Sequence, residues 1–207
     1  GDFTNGKKQS LATSEVQIDS ISGQLGQNPF EGSFSVRNFQ NPFLKLKAKT
    51  NIEVADLLAF YPIESIKKAS GQLSANLTYE GEIQNPSSEK ASGWLQLKNV
   101  SANLANHPDT WEIENFYTQL TGNQISIDTC LLKVNDSDLR LTGKIQNWAN
   151  LGVGNATKVL IDAQSGVTDL NQLLAFENSK EGGSTDFTLP EMRIKLKSGS
   201  LKYKDFT

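Results

Sequence analysis

A chain of 207 residues can bury a sizeable core, as one large all-β domain or two small ones. Its net charge of -3 gives no basic footprint for nucleic acid, its single cysteine rules out an internal disulfide, and its single histidine rules out a two-histidine metal site within one chain. Apolar residues make up 37%, below the usual share, which suits a sheet with one wet face better than a thick core.

Residues 1–13, GDFTNGKKQSLAT, are polar and read as a frayed segment or weak edge strand ahead of a single domain over 14–207. Residues 14–20 alternate through Val16 and Ile18 as a strand, 23–26 read as a second short strand or a turn, and Asn28-Pro29 marks a turn. Residues 30–38 alternate again. After Asn41-Pro42, residues 43–53 place Leu44, Leu46, Ala48 and Ile52 on one parity and Lys45, Lys47, Lys49 and Glu53 on the other. ADLLAFY, 55–61, breaks the alternation and reads as a short helix that Pro62 ends. So short a helix is unstable alone and must pack on the end or open side of the sheet.

Strands follow at 71–83, with Leu73 and Leu77 on the apolar parity, and at 93–104, around a loop at 84–92. A turn at 106–109 leads to strands 111–120 and 124–130 joined at Thr121-Gly122-Asn123, and then to a short run at 131–134. The cleanest alternation is DLRLTGKIQN, 138–147. Leu139, Leu141, Gly143 and Ile145 take one face, and Asp138, Arg140, Thr142, Lys144 and Gln146 the other. A glycine-rich link at 151–155 precedes a strand at 158–163 carrying Val159 and Ile161. Residues 169–176 read as a second helix capped by Thr168 or Asp169, and 178–185 as the most linker-like stretch. A terminal hairpin within 188–207 turns at Ser198-Gly199, with Ile194 and Leu196 on the apolar parity. The total is roughly twelve strands and two short helices in a meander of neighbours.

Residues 18–41 overlay 127–150 without a gap at four identities in 24 positions, and Leu57-Leu58-Ala59-Phe60 recurs as Leu173-Leu174-Ala175-Phe176. This suggests two repeats, 14–66 and 123–180, spaced by about 110 residues and connected by strands over 69–120. The expected fold is all-β with two short helices: a long curved antiparallel sheet forming an open groove or taco-shaped half-barrel, or alternatively a closed β-sandwich. Eleven residues are expected to share its apolar surface: Leu44, Leu46, Leu73, Leu77, Leu139, Leu141, Ile145, Val159, Ile161, Ile194 and Leu196.

Chemistry-bearing groups do not converge. His107, before Pro108 in a polar turn, reads as a surface residue, and Cys130 as a small buried hydrophobe. Asn135 to Asp138 resembles a calcium loop but lacks its glycine and distal glutamate, so it reads as a hairpin turn. Gly152-Val153-Gly154 has no phosphate-loop continuation. Lys45, Lys47, Lys49, Lys195 and Lys197 read as solubility and edge protection on a wet face. Trp94, Trp111 and Trp148 could stack on sugars or pack at strand rims. Neither an enzyme nor a cofactor is expected. The chain opens at Gly1 without a signal peptide, and its longest apolar run, 57–63, is too short to cross a bilayer, so it reads as a processed or excised piece.

GSFSVRNFQNPFLKLKAKTNIEVADLLAFYP (32–62), SGWLQLKNVSANL (92–104) and IENFYTQLTGNQISIDTCLLKVNDSDLRLTGKIQNW (113–148) resemble the AsmA-like proteins of Gram-negative envelopes. The motifs are degenerate β-patterns covering most of 14–203. The resemblance implies an internal segment of a bridge-like lipid-transfer protein, anchored in the inner membrane by an N-terminal helix that this chain lacks and reaching into the periplasm. Its implied partners are a phospholipid or other envelope lipid and the remainder of the parent chain, with membrane contact only through parts outside this chain. The alternative function is a non-catalytic structural or adhesive β-module that binds a surface or a carbohydrate.

Overall fold

The computed structural model describes residues 1–82, 90–150, 157–175 and 190–204. Alternating sequence becomes strand almost throughout: β1 (Asp2–Thr4), β2 (Glu15–Leu25), β3 (Asn28–Arg37), β4 (Phe43–Glu53), β5 (Ile66–Glu82), β6 (Lys90–Leu104), β7 (Thr110–Thr121), β8 (Gln124–Val134), β9 (Ser137–Gln146), β10 (Lys158–Asp169) and β11 (Glu191–Lys202). Helix α1 (Val54–Phe60) follows β4, and α2 (Leu170–Leu173) follows β10. The eleven strands form one sheet in chain order, β1 to β11. Each neighbour pair is antiparallel except β10–β11, which is parallel. The sheet is open, and no second sheet covers it among the described residues, so the closed sandwich is not the fold.

Four sequence expectations need correction. The terminal hairpin is a single strand: β11 pairs with β10 on both sides of Ser198-Gly199, through Ser165↔Ser198 and Val167↔Ser200. A turn signal was outcompeted there by a continuous neighbouring edge. The break after residue 20 is a bulge inside β2, between Ile18 and Ile21, which places two isoleucines three positions apart on one face. The turn before β3 sits at Gly26, with φ of 61°, and Asn28 and Pro29 already belong to the strand. Residues 131–134 continue β8 past a second bulge. Ile83, most of the 84–92 loop, the 151–155 link, Phe176 and the 178–185 linker lie outside the described residues.

Bulges lie within β2, β5, β6, β7 and β8 and bend the strands that carry them. Opposite the β6 bulge at Asn99 and Val100, Gly71 has φ of 101°, and a Cβ there would come within 2.4 Å of the Asn99 carbonyl oxygen, so glycine is required. The bounds of β2 and β3 recur 109 residues later (15 to 124, 28 to 137) as those of β8 and β9. The bulge recurs with them, Ile18/Ile21 matching Ile127/Cys130, and left-handed Asn38 (φ 57°) matches Asn147 (φ 52°).

Little of the molecule is deeply buried. The core cluster is Val54, Ala69 and Val100, with Leu58, Ile66, Leu73, Leu97, Ala102 and Ile113 packed against it. Its residues come from α1, β5, β6 and β7, so α1 covers one end of the strands it overlies. Asp169 caps α2, its carboxylate accepting from the backbone N–H groups of Asn171 and Gln172.

Candidate apolar binding face

Strand register sorts every side chain onto one of two faces, because directly opposed residues point the same way. Three rows cross the middle of the apolar face. The first runs Gly32, Ala48, Leu77, Gly93, Leu120, Ile125, Ile145, Val159, Met192. The second runs Phe30, Thr50, Ala75, Leu95, Thr118, Ile127, Gly143, Ile161, Ile194. The third runs Ile52, Leu73, Leu97, Phe116, Cys130, Leu141, Ala163, Leu196. None of the three contains a charge. Strands about 4.8 Å apart make each row about 35–40 Å long.

All eleven residues expected on the apolar surface lie on this face. Leu44 and Leu46 extend it on β4 opposite Gly81 and Tyr79, and Leu139 extends it on β9 opposite Leu132. Nine of the eleven are half-buried, whereas Ile194 and Leu196 are exposed at the sheet edge. The floor residues of β6 to β8, including Leu95, Leu97, Phe116, Leu120, Ile125 and Ile127, are equal members of the same rows. Their signal was the same alternation, interrupted in β7 and β8 by bulges.

Two polar atoms interrupt the floor. Thr118 donates its hydroxyl to the Ser126 carbonyl at 2.8 Å. The buried Thr50 Oγ1 has no partner among the described residues. Cys130 is buried, as expected, and burial pushes its thiol pKa up, which keeps the sulfur neutral in an apolar row.

Both ends of the strands are tied across the sheet. At the helix end, His107 corrects the surface reading, because it is buried. Its Nε2 lies 2.8 Å from the Gln172 carbonyl oxygen in α2, and its Nδ1 accepts from the Asp109 N–H at 3.1 Å. The neutral tautomer protonated on Nε2 satisfies both bonds. Its ring meets Trp111 edge-on at 5.4 Å. At the other end, the 3-10 turn Trp148–Asn150 folds back, and Trp148 Nε1 donates to the Gly122 carbonyl at 3.0 Å. The same ring meets Tyr79 at 6.4 Å, nearly perpendicular.

The opposite face is polar. Lys45 pairs with Glu80 at 3.3 Å and Lys49 with Glu31 at 2.9 Å, both exposed. Trp94 and Tyr117 stack on this face with ring centroids 6.2 Å apart. Asp138 lies inside β9 rather than in the turn. Its carboxylate accepts from the Val167 N–H at 2.8 Å and the Gly166 N–H at 3.2 Å. Those two bonds, helped by the Ser165 hydroxyl, hold its pKa below the ordinary aspartate value. No group of three or more metal-ligating side chains occurs among the described residues, and none of their helices is long and apolar enough to cross a membrane.

Comparison of the chain with protein-family models, curated proteins and solved structures returned no match.

Proposed function

We propose that the apolar face of this sheet holds lipid acyl chains, and that the chain is a periplasmic segment of an AsmA-like envelope-biogenesis protein that guides phospholipid or another envelope lipid between inner and outer membranes. The observation that carries the reading is the set of uncharged rows across the sheet, left without a second sheet among the described residues and covered only where Leu73 and Leu97 of the third row pack into the α1 cluster. A continuous apolar strip of this extent marks a binding surface. One leaflet's hydrocarbon is about 15 Å deep, half the bilayer core, so a row is longer than a single acyl chain needs.

The rows favour a chain-like apolar guest over a compact one, because they run across the strands without a wall between them. The chemistry is binding and guidance, with no catalytic group in it. Native mass spectrometry of the purified chain tests this directly: co-purified phospholipid is expected, and a protein that carries no lipid and takes none from vesicles contradicts it.

One observation favours the structural or adhesive module. The Trp94–Tyr117 pair on the polar face is flanked by hydrogen bonds that the Gln96 and Gln119 amides donate to Asn115 and Asp128, a surface of the kind that stacks on sugars. The two rings stack on each other, however, and this reading leaves the apolar rows uncovered.

A further inference from the structure

The polar face of the sheet changes character at its centre. Across β5 to β8 the register aligns three rows on that face: Thr78, Ser92, Thr121 and Gln124; Asn76, Trp94, Gln119 and Ser126; and Ser74, Gln96, Tyr117 and Thr129. Every member is a hydroxyl, an amide or an aromatic ring, and none carries a charge. Charges surround the rows, with Lys47 and Lys49 on β4, Lys144 on β9, Glu80 and Lys90 beyond the first row and Lys98 beyond the third. Asp128, at the β8 bulge, lies beside them and accepts from the Gln119 amide. On β4 the same face is built from charges, Lys45 pairing with Glu80 and Lys49 with Glu31.

Trp94 and Tyr117 are half-buried here, their ring centroids 6.2 Å apart and their planes 26° from parallel. Tyr117 backs the indole from the β7 side. On the β5 side a cleft opens along the same face, with Trp94 at its end. Ser22, Glu31 and Lys49 lie along one side of it, in the same row as Trp94, and Gln24, Pro29 and Asn51 along the other. Glu31 and Lys49 are bonded to each other at 2.9 Å, so the cleft has no net charge. Around the rings, the Gln96 amide donates to Asn115 at 3.1 Å and the Ser74 hydroxyl to Asn51 at 2.8 Å. Each bond uses one donor and one acceptor, which leaves the other donors and acceptors of those amides to a ligand.

We infer that Trp94 and this cleft form a binding site for an uncharged oligosaccharide, on the face opposite the apolar rows and independent of any lipid there. A sugar ring offers a flat face of C–H groups to an aromatic ring, and a rim of hydroxyls that both donate and accept. An indole set among neutral amides and hydroxyls is the complement of both. From β2 to Trp94 on β6 the cleft crosses four strand spacings, about 19 Å, a length for a chain of linked rings rather than one. A nucleic acid could stack on the same ring, but its phosphates need a basic track, and these rows have none.

The test is isothermal titration calorimetry of the 207-residue chain with two uncharged probes, cellohexaose and the N-acetylglucosamine hexamer. Saturable binding of at least one is expected, with an affinity that does not change between low and high salt. Trp94→Ala should weaken it about tenfold, and Trp94→Phe, which keeps a ring, should retain most of it. The double variant Gln24→Ala/Asn51→Ala changes two exposed side chains across the cleft, leaves the ring pair in place and should also weaken binding. Lipid uptake, on the other face, should be the same in all of these variants, so this proposal and the lipid proposal fail separately. A wild-type chain that binds neither sugar overturns the inference, and so does binding that falls with salt. So does a Trp94→Ala variant that melts lower than wild type yet binds as tightly, the result for a ring pair that only stabilises the sheet.

Discussion

Tyr79 and Trp148 meet edge to face, 6.4 Å between ring centroids, although they belong to segments four strands apart in the sheet. In a flat sheet β5 and β9 would lie about 19 Å apart. The contact is met by the 3-10 turn folding back over the β7–β8 hairpin, where Trp148 Nε1 is fixed to the Gly122 carbonyl, and by a sheet that turns towards its apolar face. Trp148→Phe keeps an aromatic ring, smaller than the indole, and loses the hydrogen bond, and Trp148→Ala loses both. Urea denaturation is expected to show a loss of about 1 kcal/mol for the first and about 3 kcal/mol for the second. Equal stability of both variants with wild type would mean that the turn does not brace this end.

At the opposite end the brace is His107. Its two ring nitrogens bond the Gln172 carbonyl and the Asp109 N–H, and the ring lies against Trp111. His107→Ala removes both bonds and leaves the Gln172 carbonyl without this donor. A destabilisation of about 2–4 kcal/mol is expected, with lipid affinity of the folded protein unchanged. A variant with wild-type stability and no lipid binding would instead place His107 in the binding chemistry.

The sheet and its two faces were legible because alternation survives wherever one face meets water. Leu139, Leu141 and Ile145 could be assigned from parity alone, and register puts them where parity did. The spacing used to overlay residues 18–41 on 127–150 is also the spacing at which strand bounds and a bulge recur. Three things were hidden. A bulge shifts parity without changing composition, so β2 read as two pieces. Strand direction is set by where a distant edge lies, so Ser198-Gly199 looked like a turn inside what is one parallel strand. His107 sat in a polar stretch whose burial depends on α2, 65 residues away.

Glycine at 93 is a steric requirement of the floor. Its φ is 135°, and a Cβ would come within 2.0 Å of the Asn76 carbonyl oxygen. Gly93→Ala must move backbone in the middle of the first row, and a loss of about 2–3 kcal/mol is expected in thermal or urea unfolding. A neutral substitution would show that β5 and β6 can separate locally.

Asp138 gives the fold a defined acid sensitivity. The Val167 and Gly166 N–H groups stabilise its charged form in the folded state, so its pKa is depressed on folding. Such a group contributes stability above its unfolded pKa of about 3.9, and the contribution is lost as pH falls through the lower folded value. Asp138→Asn should therefore be less stable than wild type near neutral pH, with the gap closing in acid. The carboxylate is exposed, so the effect is small. A gap that widens in acid would contradict the assignment.

The central claim is that the uncharged rows receive acyl chains in an open face rather than forming a closed core. Leu141→Asp and Ile161→Asp each put a carboxylate into that face, the first between Cys130 and Ala163, the second between Gly143 and Ile194. The direct measurement is fluorescent-lipid binding by wild type and both variants, with melting curves on the same samples. Binding by wild type, its loss in both variants, and melting that shows less destabilisation than the several kcal/mol of a charge buried in a packed core are the predicted results. A wild-type chain that binds no lipid, with both variants unfolded, would contradict the account and leave the sheet as a structural module.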